Sequence, residues 1–415
     1  MRRALLLAVP VLALTACGGA RHGAKPVTTA TTTPATSIVR RPPVVKRLVP
    51  VPAGTMDAPI QDAAAAPFGG GAVLVGGLTP ADVSSNQIVT ATRAGSRRVG
   101  SIPQALHDAA AVTIGRSSYV FGGGIGVAQI DTILMVDPRT GAAQAVGHLP
   151  APSSDQSATA IGRTAYVVGG YTGAHWLDTI VAWRPGGTAR VVAHLPHTLR
   201  YAGVTAVGNR VIVAGGSLEA GSASSDVYEY VPSTGRVSRI GRLPAPTTHL
   251  AAATIGSVAY AIGGRGDSVG TPTARVVAIE PVTRRIHVVG ALSRPLSDLA
   301  AVANAKGVLL AGGRDATATV SDLTQLVPSS KQRQIAAVHT KNVYAADRAG
   351  NLSAEAKLAK PLVYVPNSNS NTVDVIDQRT FKIVEHFAVG ALPQHVVPAW
   401  DLKTLYVTND EGNTL

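Results

Sequence analysis

Asp62, Asp108, Asp155, Tyr201, His249 and Asp298 recur along the chain at intervals of 46, 47, 46, 48 and 49 residues. If the chain closes into a ring of repeats, equivalent positions converge on its axis, and four carboxyls, a phenol and an imidazole meet at one mouth of the central channel. Carboxylate oxygens suit hard cations such as calcium, so this candidate ligand site can hold a cation or a cationic group. The same side chains can instead cap backbone groups between repeats. Other sets of reactive residues are absent: His148, His194, His197, His339 and His395 lack metal-ligand spacing, and there is no Gly-x-Ser-x-Gly elbow. Catalytic residues, a metal and a cofactor are therefore not expected.

The elements that would position these residues are marked by a Gly-Gly doublet after each apolar run. The doublets are Gly76-Gly77, Gly122-Gly123, Gly169-Gly170, Gly215-Gly216, Gly263-Gly264 and Gly312-Gly313, and they keep the same spacing as the polar positions. Each unit reads in one order: polar residue, small apolar run, strand into the doublet, strand ending near a proline such as Pro138 or Pro185, and a last strand into Leu-Pro. Four short strands with turn residues between them, repeated at this period, predict an all-β propeller blade. Glycine in the doublet lets the backbone turn sharply or approach a neighbour.

These units resemble Kelch repeats, whose doublet ends the second strand of each blade. The resemblance covers about residues 56–330 and implies a six-bladed Kelch-type β-propeller. It departs from the family pattern where a tryptophan is usual near the fourth strand, since those strands read AQAVGHL, RVVAHL and RVSRIGRL. The stretch VVKRLVPVPAGTM stands where a fourth strand should and is expected to complete the sixth blade; RQIAAV, residues 333–338, is the competing candidate. A blade turn also accounts for Arg-Gly-Asp in GGRGDS, residues 263–268, because Arg314-Asp315 stands in the same place one unit later. VFGGGIGV is similarly excluded as a dinucleotide loop, since a strand, TILMVDP, follows where that fold needs a helix.

From residue 361 the pattern changes. VYVPNSNSNTV returns 42 residues later as LYVTNDEGNTL. This segment resembles the YVTN family of propeller repeats, with Tyr364-Val365-Pro366-Asn367 as a variant and Tyr406-Val407-Thr408-Asn409 as a full match. One blade cannot bury its own faces. The expectation is an incomplete second propeller segment, 361–415, after a linker at 331–360, with further units in a longer relative.

At the other end MRRALLLAVPVLALTA has the layout of a secretory signal peptide, 1–16. Leu14-Thr15-Ala16-Cys17 resembles the lipobox of bacterial lipoproteins, which implies lipidation of Cys17, the single cysteine, and anchoring to the outer face of the cell membrane. Residues 17–43, rich in Thr, Ala and Pro, read as a disordered tether leading to the ring at 44–330. The formal net charge of +13 comes mostly from arginine and favours anionic surroundings, phospholipid headgroups or wall polymers, unless the charges are spread evenly over the surface. Nucleic acid is not an expected partner, because no basic cluster is interleaved with aromatics. The reading is a monomeric, extracytoplasmic, lipid-anchored scaffold whose loops bind a protein, glycan or anionic cell-wall polymer. The alternative is a lactonase-like or redox enzyme whose active site needs a C-terminal second propeller; a galactose-oxidase type of cysteine-linked tyrosine has no second cysteine to draw on.

Overall fold

The computed structural model describes residues 47–329, 356–399, 404–412 and 414–415. Cys17, the signal segment, the tether and RQIAAV lie outside the described residues. The chain divides into two compact units, Met1–Ser330 and Lys331–Leu415.

The first unit begins with β1 (Arg47–Thr55) and continues through five four-stranded antiparallel sheets. These are β2 (Ala64–Phe68), β3 (Gly71–Val75), β4 (Ser85–Thr92) and β5 (Gly95–Leu106); β6 (Ala110–Ile114), β7 (Ser117–Phe121), β8 (Thr132–Asp137) and β9 (Ala142–His148); and β10 (Ser157–Ile161), β11 (Thr164–Val168), β12 (Thr179–Trp183) and β13 (Arg190–His194). The fourth and fifth are β14 (Gly203–Val207), β15 (Arg210–Ala214), β16 (Asp226–Val231) and β17 (Arg236–Arg242), then β18 (Ala251–Ile255), β19 (Val258–Ile262), β20 (Arg275–Glu280) and β21 (Arg285–Ala291). The sixth sheet joins both ends of the unit: β22 (Ala300–Asn304), β23 (Gly307–Ala311) and β24 (Asp322–Ser329) are completed by β1, in the order β1-β24-β23-β22. The stretch expected to close the ring therefore does so, in a register running from Arg47↔Ser329 to Thr55↔Asp322. This is a six-bladed β-propeller.

Residue size follows distance from the axis. The first strand of each blade is small, as in AAAPF, AAVTI and AAATI, because six such strands converge there. They line a cavity of about 270 Å³ with Ala111, Thr113, Ala158, Ala160, Val204 and Thr254 among its walls. The second strands are buried along all or all but the first residue of their length, uniformly so in GAVLV, TAYVV and VAYAI, and they pack blade against blade. Between blades two and three, Trp183 meets Tyr119 and Phe121 at ring-centroid distances of 4.9 and 5.6 Å.

The doublet has a specific structural use. In the third blade Gly169 has φ +65°, and a Cβ there would stand 2.2 Å from the carbonyl oxygen of Leu199, while the N–H of Gly170 donates to that same oxygen at 2.9 Å. Leu199 belongs to the linker that leaves β13 for the next blade. At the closure point a Cβ on Gly312 would stand 2.2 Å from the Ile60 carbonyl oxygen and the Gly313 N–H donates to that oxygen at 2.9 Å, so the joint made by β1 copies the other five.

The antiparallel pairing sorts the loops onto two faces. The polar repeat residues, the doublets and the blade-to-blade linkers lie on one, the mouth face. First-to-second and third-to-fourth turns, such as those after Ile114 and Asp137, lie on the other, the turn face.

The second unit contains β25 (Leu362–Asn367), β26 (Thr372–Asp377) and β27 (Ile383–Ala388) in one antiparallel sheet, and a β28 (Pro393–Pro398)–β29 (Leu405–Asn409) pair. Val373 and Val375 on the central strand are buried, while Ile383 and Val384 on β27 stay more than half exposed. Among the described residues no helix is long and apolar enough to cross a membrane.

Candidate functional site

The six repeat residues meet as a ring. Each precedes the first strand of its blade, and each takes a left-handed backbone conformation: φ is 54° at Asp62, 53° at Asp108, 63° at Asp155, 52° at Tyr201, 53° at His249 and 57° at Asp298. That conformation is uncommon outside glycine and is tolerated best by short polar side chains, which accounts for the Asp-rich character of the position. It turns each N–H toward the preceding blade. Asp108 N–H donates to the Asp62 carbonyl at 3.1 Å, Asp155 to Asp108 at 2.8 Å, Tyr201 to Asp155 at 2.9 Å, His249 to Tyr201 at 3.0 Å, Asp298 to His249 at 3.1 Å and Asp62 to Asp298 at 3.0 Å. A closed belt of six backbone hydrogen bonds circles the axis.

The side chains form a second network on this belt. The carboxyl of Asp62 hydrogen-bonds those of Asp298 and Asp108. Burial, reinforced by the neighbouring carboxylates Asp298 and Asp108, holds Asp62 well above the usual carboxylate range. Burial and then Asp155 do the same to Asp108, and burial raises Asp298. Like charges this close in a desolvated site cannot all ionise, so protons are shared among them. Tyr201 lies over His249 with centroids 3.7 Å apart and planes 21° from parallel, and its hydroxyl is 3.5 Å from Asp108. Burial, with Asp108 and Asp155 adding to it, pushes the phenol well up.

His249 is neutral. Burial lowers its pKa well below the ordinary value, and Arg265 and Arg200 lower it further. Arg265 Nη2 lies 2.8 Å from Nε2, a contact in which the guanidinium donates and the imidazole accepts, leaving the ring proton on Nδ1 beside Thr248 Oγ1 at 3.1 Å.

Sequence reasoning located this ring but missed its arginines. Arg200 pairs with the buried Asp155 and is packed against Tyr171 at 4.5 Å, Trp176 at 4.7 Å and Tyr201 at 5.2 Å. Arg265 serves His249, and Arg314 approaches Asp82 at 4.0 Å. The mouth is therefore not the purely acidic surface expected. Arg265 and Arg314 directly follow doublets, and Arg200 directly precedes a ring residue. These two positions meet because Arg200↔Ser217, Thr248↔Arg265 and Ser297↔Arg314 form bridges on the same rim. The Arg-Gly-Asp tripeptide is engaged internally as well, since Asp267 accepts from the Ala223 N–H at 2.5 Å.

Among the described residues no three His, Cys, Asp or Glu side chains are grouped so as to hold a metal ion. The ring carboxyls face one another or arginines: Asp62 lies against Asp298 and Asp108, and Asp155 pairs with Arg200. At the mouth the Arg200 guanidinium, its side chain 22% exposed, sits in the angle between two half-buried aromatics, Tyr171 and Trp176.

Residues 198–244, which contain the whole of the fourth blade, match the Kelch motif. The solved structure of YjhT is similar, with a TM-score of 0.57 and 14% identity, over 66% of this chain and 99% of that one. No curated protein matches the sequence. The six-fold repeat of four-stranded sheets, the motif match and the structural likeness together make this an all-β protein built on a Kelch-type β-propeller.

Proposed function

We propose that the chain is an extracytoplasmic binding scaffold, held to the cell membrane by a lipid on Cys17, which engages a protein, glycan or wall polymer through the loops of its mouth face. The observation that carries this reading is the Tyr171–Arg200–Trp176 stack. Aromatic residues and arginine are the side chains that dominate binding surfaces, because they bury much area at small entropic cost. Here the stack is fixed in place from below by Asp155. The ring beneath it is engaged in closing the propeller, which fits a platform better than a reaction centre. The YVTN-like second unit extends the same chain, and repeats of that family in a longer relative would supply a further ring.

The test is retention on purified wall fragments and on a panel of soluble oligosaccharides. Trp176→Ala and Tyr171→Ala are each expected to weaken retention at least tenfold, about 1.4 kcal/mol, without moving the thermal midpoint. Binding that survives both substitutions unchanged would remove the mouth from the function.

A further inference from the structure

We infer that the turn face of the propeller is a docking surface for an anionic phospholipid bilayer. The inference rests on the lipid-anchor reading for its orientation but on the structure for its chemistry. The two faces differ in how their cations are used: on the mouth face Arg200, Arg294 and Arg314 lie against carboxylates, whereas the turn face carries cations without such partners. Exposed Arg116, Arg163 and Lys306 occupy the β6–β7, β10–β11 and β22–β23 turns. Exposed Arg93, Arg184 and Arg284 occupy the β4–β5, β12–β13 and β20–β21 turns, and exposed Arg97, Arg190 and Arg285 stand at or near the starts of β5, β13 and β21 that follow them. None of these nine has a carboxylate within ion-pairing distance among the described residues. The acidic residues near the same turns are already used or hidden: Asp137 pairs with Arg139 at 3.0 Å, Glu229 pairs with Arg210, and Glu280 is 2% exposed. Opposite charge lies on the other face, where the loops hold Asp82, Asp131, Asp178, Glu219, Asp267 and Asp315.

A disc whose unpaired cations lie on one face has a preferred orientation at a negative surface, because each arginine near anionic headgroups adds to the attraction. The occupant is a bilayer rather than a distant polymer because of where the chain enters the ring. Arg47, the first residue of β1, lies at the turn face opposite Ser329. The chain that follows Cys17 therefore enters the propeller on its cationic side. The lipid expected on Cys17 would fix the chain to the bilayer, and a basic face beside the entry point sets how the ring lies on that surface. With the turn face on the bilayer, the mouth faces away from it, where the ligand of the proposed scaffold would be met.

The experiment uses the chain from residue 17 onward carrying Cys17→Ser, so that neither a lipid nor the apolar leader contributes, and vesicles of phosphatidylcholine with or without about one-third phosphatidylglycerol. The unlipidated chain is expected to sediment with the anionic vesicles at low salt, to be released as salt is raised toward 1 M, and to ignore pure phosphatidylcholine. Replacing Arg116, Arg163 and Arg284 together by Gln should cut partitioning by about 100-fold, roughly fivefold for each arginine. Replacing Arg239, Arg242 and Arg294, which lie away from the turns, removes the same charge and should change it by less than about twofold. Unchanged thermal midpoints confirm that both variants are folded. Failure to bind anionic vesicles, equal losses in the two variants, or stronger arginine-dependent retention on lipid-free wall fragments overturns the inference, the last by giving the face to an anionic wall polymer. A mass measurement on Cys17 of the chain purified from membranes tests the anchor separately, so either idea can fail alone.

Discussion

Asp62 and His249 sit in one belt and respond to pH in opposite directions. Asp62 is held well above the usual carboxylate range by burial and by Asp298 and Asp108. A carboxyl whose folded pKa exceeds its unfolded one contributes stability that is full below the unfolded value, near 4, and is lost as pH rises through the folded value. Asp108 and Asp298 act in the same sense. For His249, lowered by burial and by Arg265 and Arg200, stability is full above the unfolded pKa, near 6.5, and is lost as pH falls below it. Asp62→Asn keeps the hydrogen-bonding shape of the protonated acid and cannot ionise. It should leave the thermal midpoint at pH 4 nearly unchanged and raise it at pH 8 by about 2–4 °C, equivalent to ~1 kcal/mol. Calorimetry across this range checks the sign; a variant equally destabilised at both pH values would mean that the Asp62 carboxylate, through Arg265, is what the ring needs.

At the scale of single elements, the doublet–linker joint should be the least forgiving part of a blade. Gly169→Ala must accept both a left-handed φ and a Cβ pressed on the Leu199 carbonyl, whereas Gly186 has a φ of +80° with nothing within 4 Å of an added Cβ. Denaturant titration should show a loss of about 3 kcal/mol or more for Gly169→Ala and about 1 kcal/mol for Gly186→Ala; equal losses would mean that φ alone matters. Doublets, strand order and the ring position were all legible in the sequence, because each is set by local rules that recur at one period: glycine where backbones touch, small residues near the axis, alternation along strands. The arginine rim was not legible. Arg200 and Arg265 come from different places in the repeat, and only the bridge pairing brings them to one edge. The turn-face charge was hidden for a related reason, since its arginines are scattered along the sequence and gather only when every second turn is placed on one side.

At the scale of the whole molecule, one strand carries two duties. β1 is the only strand of the sixth sheet drawn from the start of the ring, and it is also the strand through which any pull on the Cys17 segment reaches the fold. Leu48 on it is 1% exposed and packs with Leu292, Val308 and Leu326, so the closing strand is fixed by a core contact as well as by its ladder. A ring whose blades are covered only by neighbours should lose cooperativity from the joint outward, not blade by blade from an arbitrary point. Leu48→Ala is therefore expected to cost about 2–5 kcal/mol and to lower the unfolding midpoint of the entire propeller, with Trp183 fluorescence and far-ultraviolet circular dichroism moving together. Val384→Ala, a comparable truncation on the exposed β27 strand, should shift stability by less than about 0.5 kcal/mol. If Leu48→Ala leaves the Trp183 transition in place while part of the β-signal melts early, closure by β1 is an accessory latch and the remaining blades stand without it. A coincident shift makes β1 the strand on which the integrity of the whole ring depends.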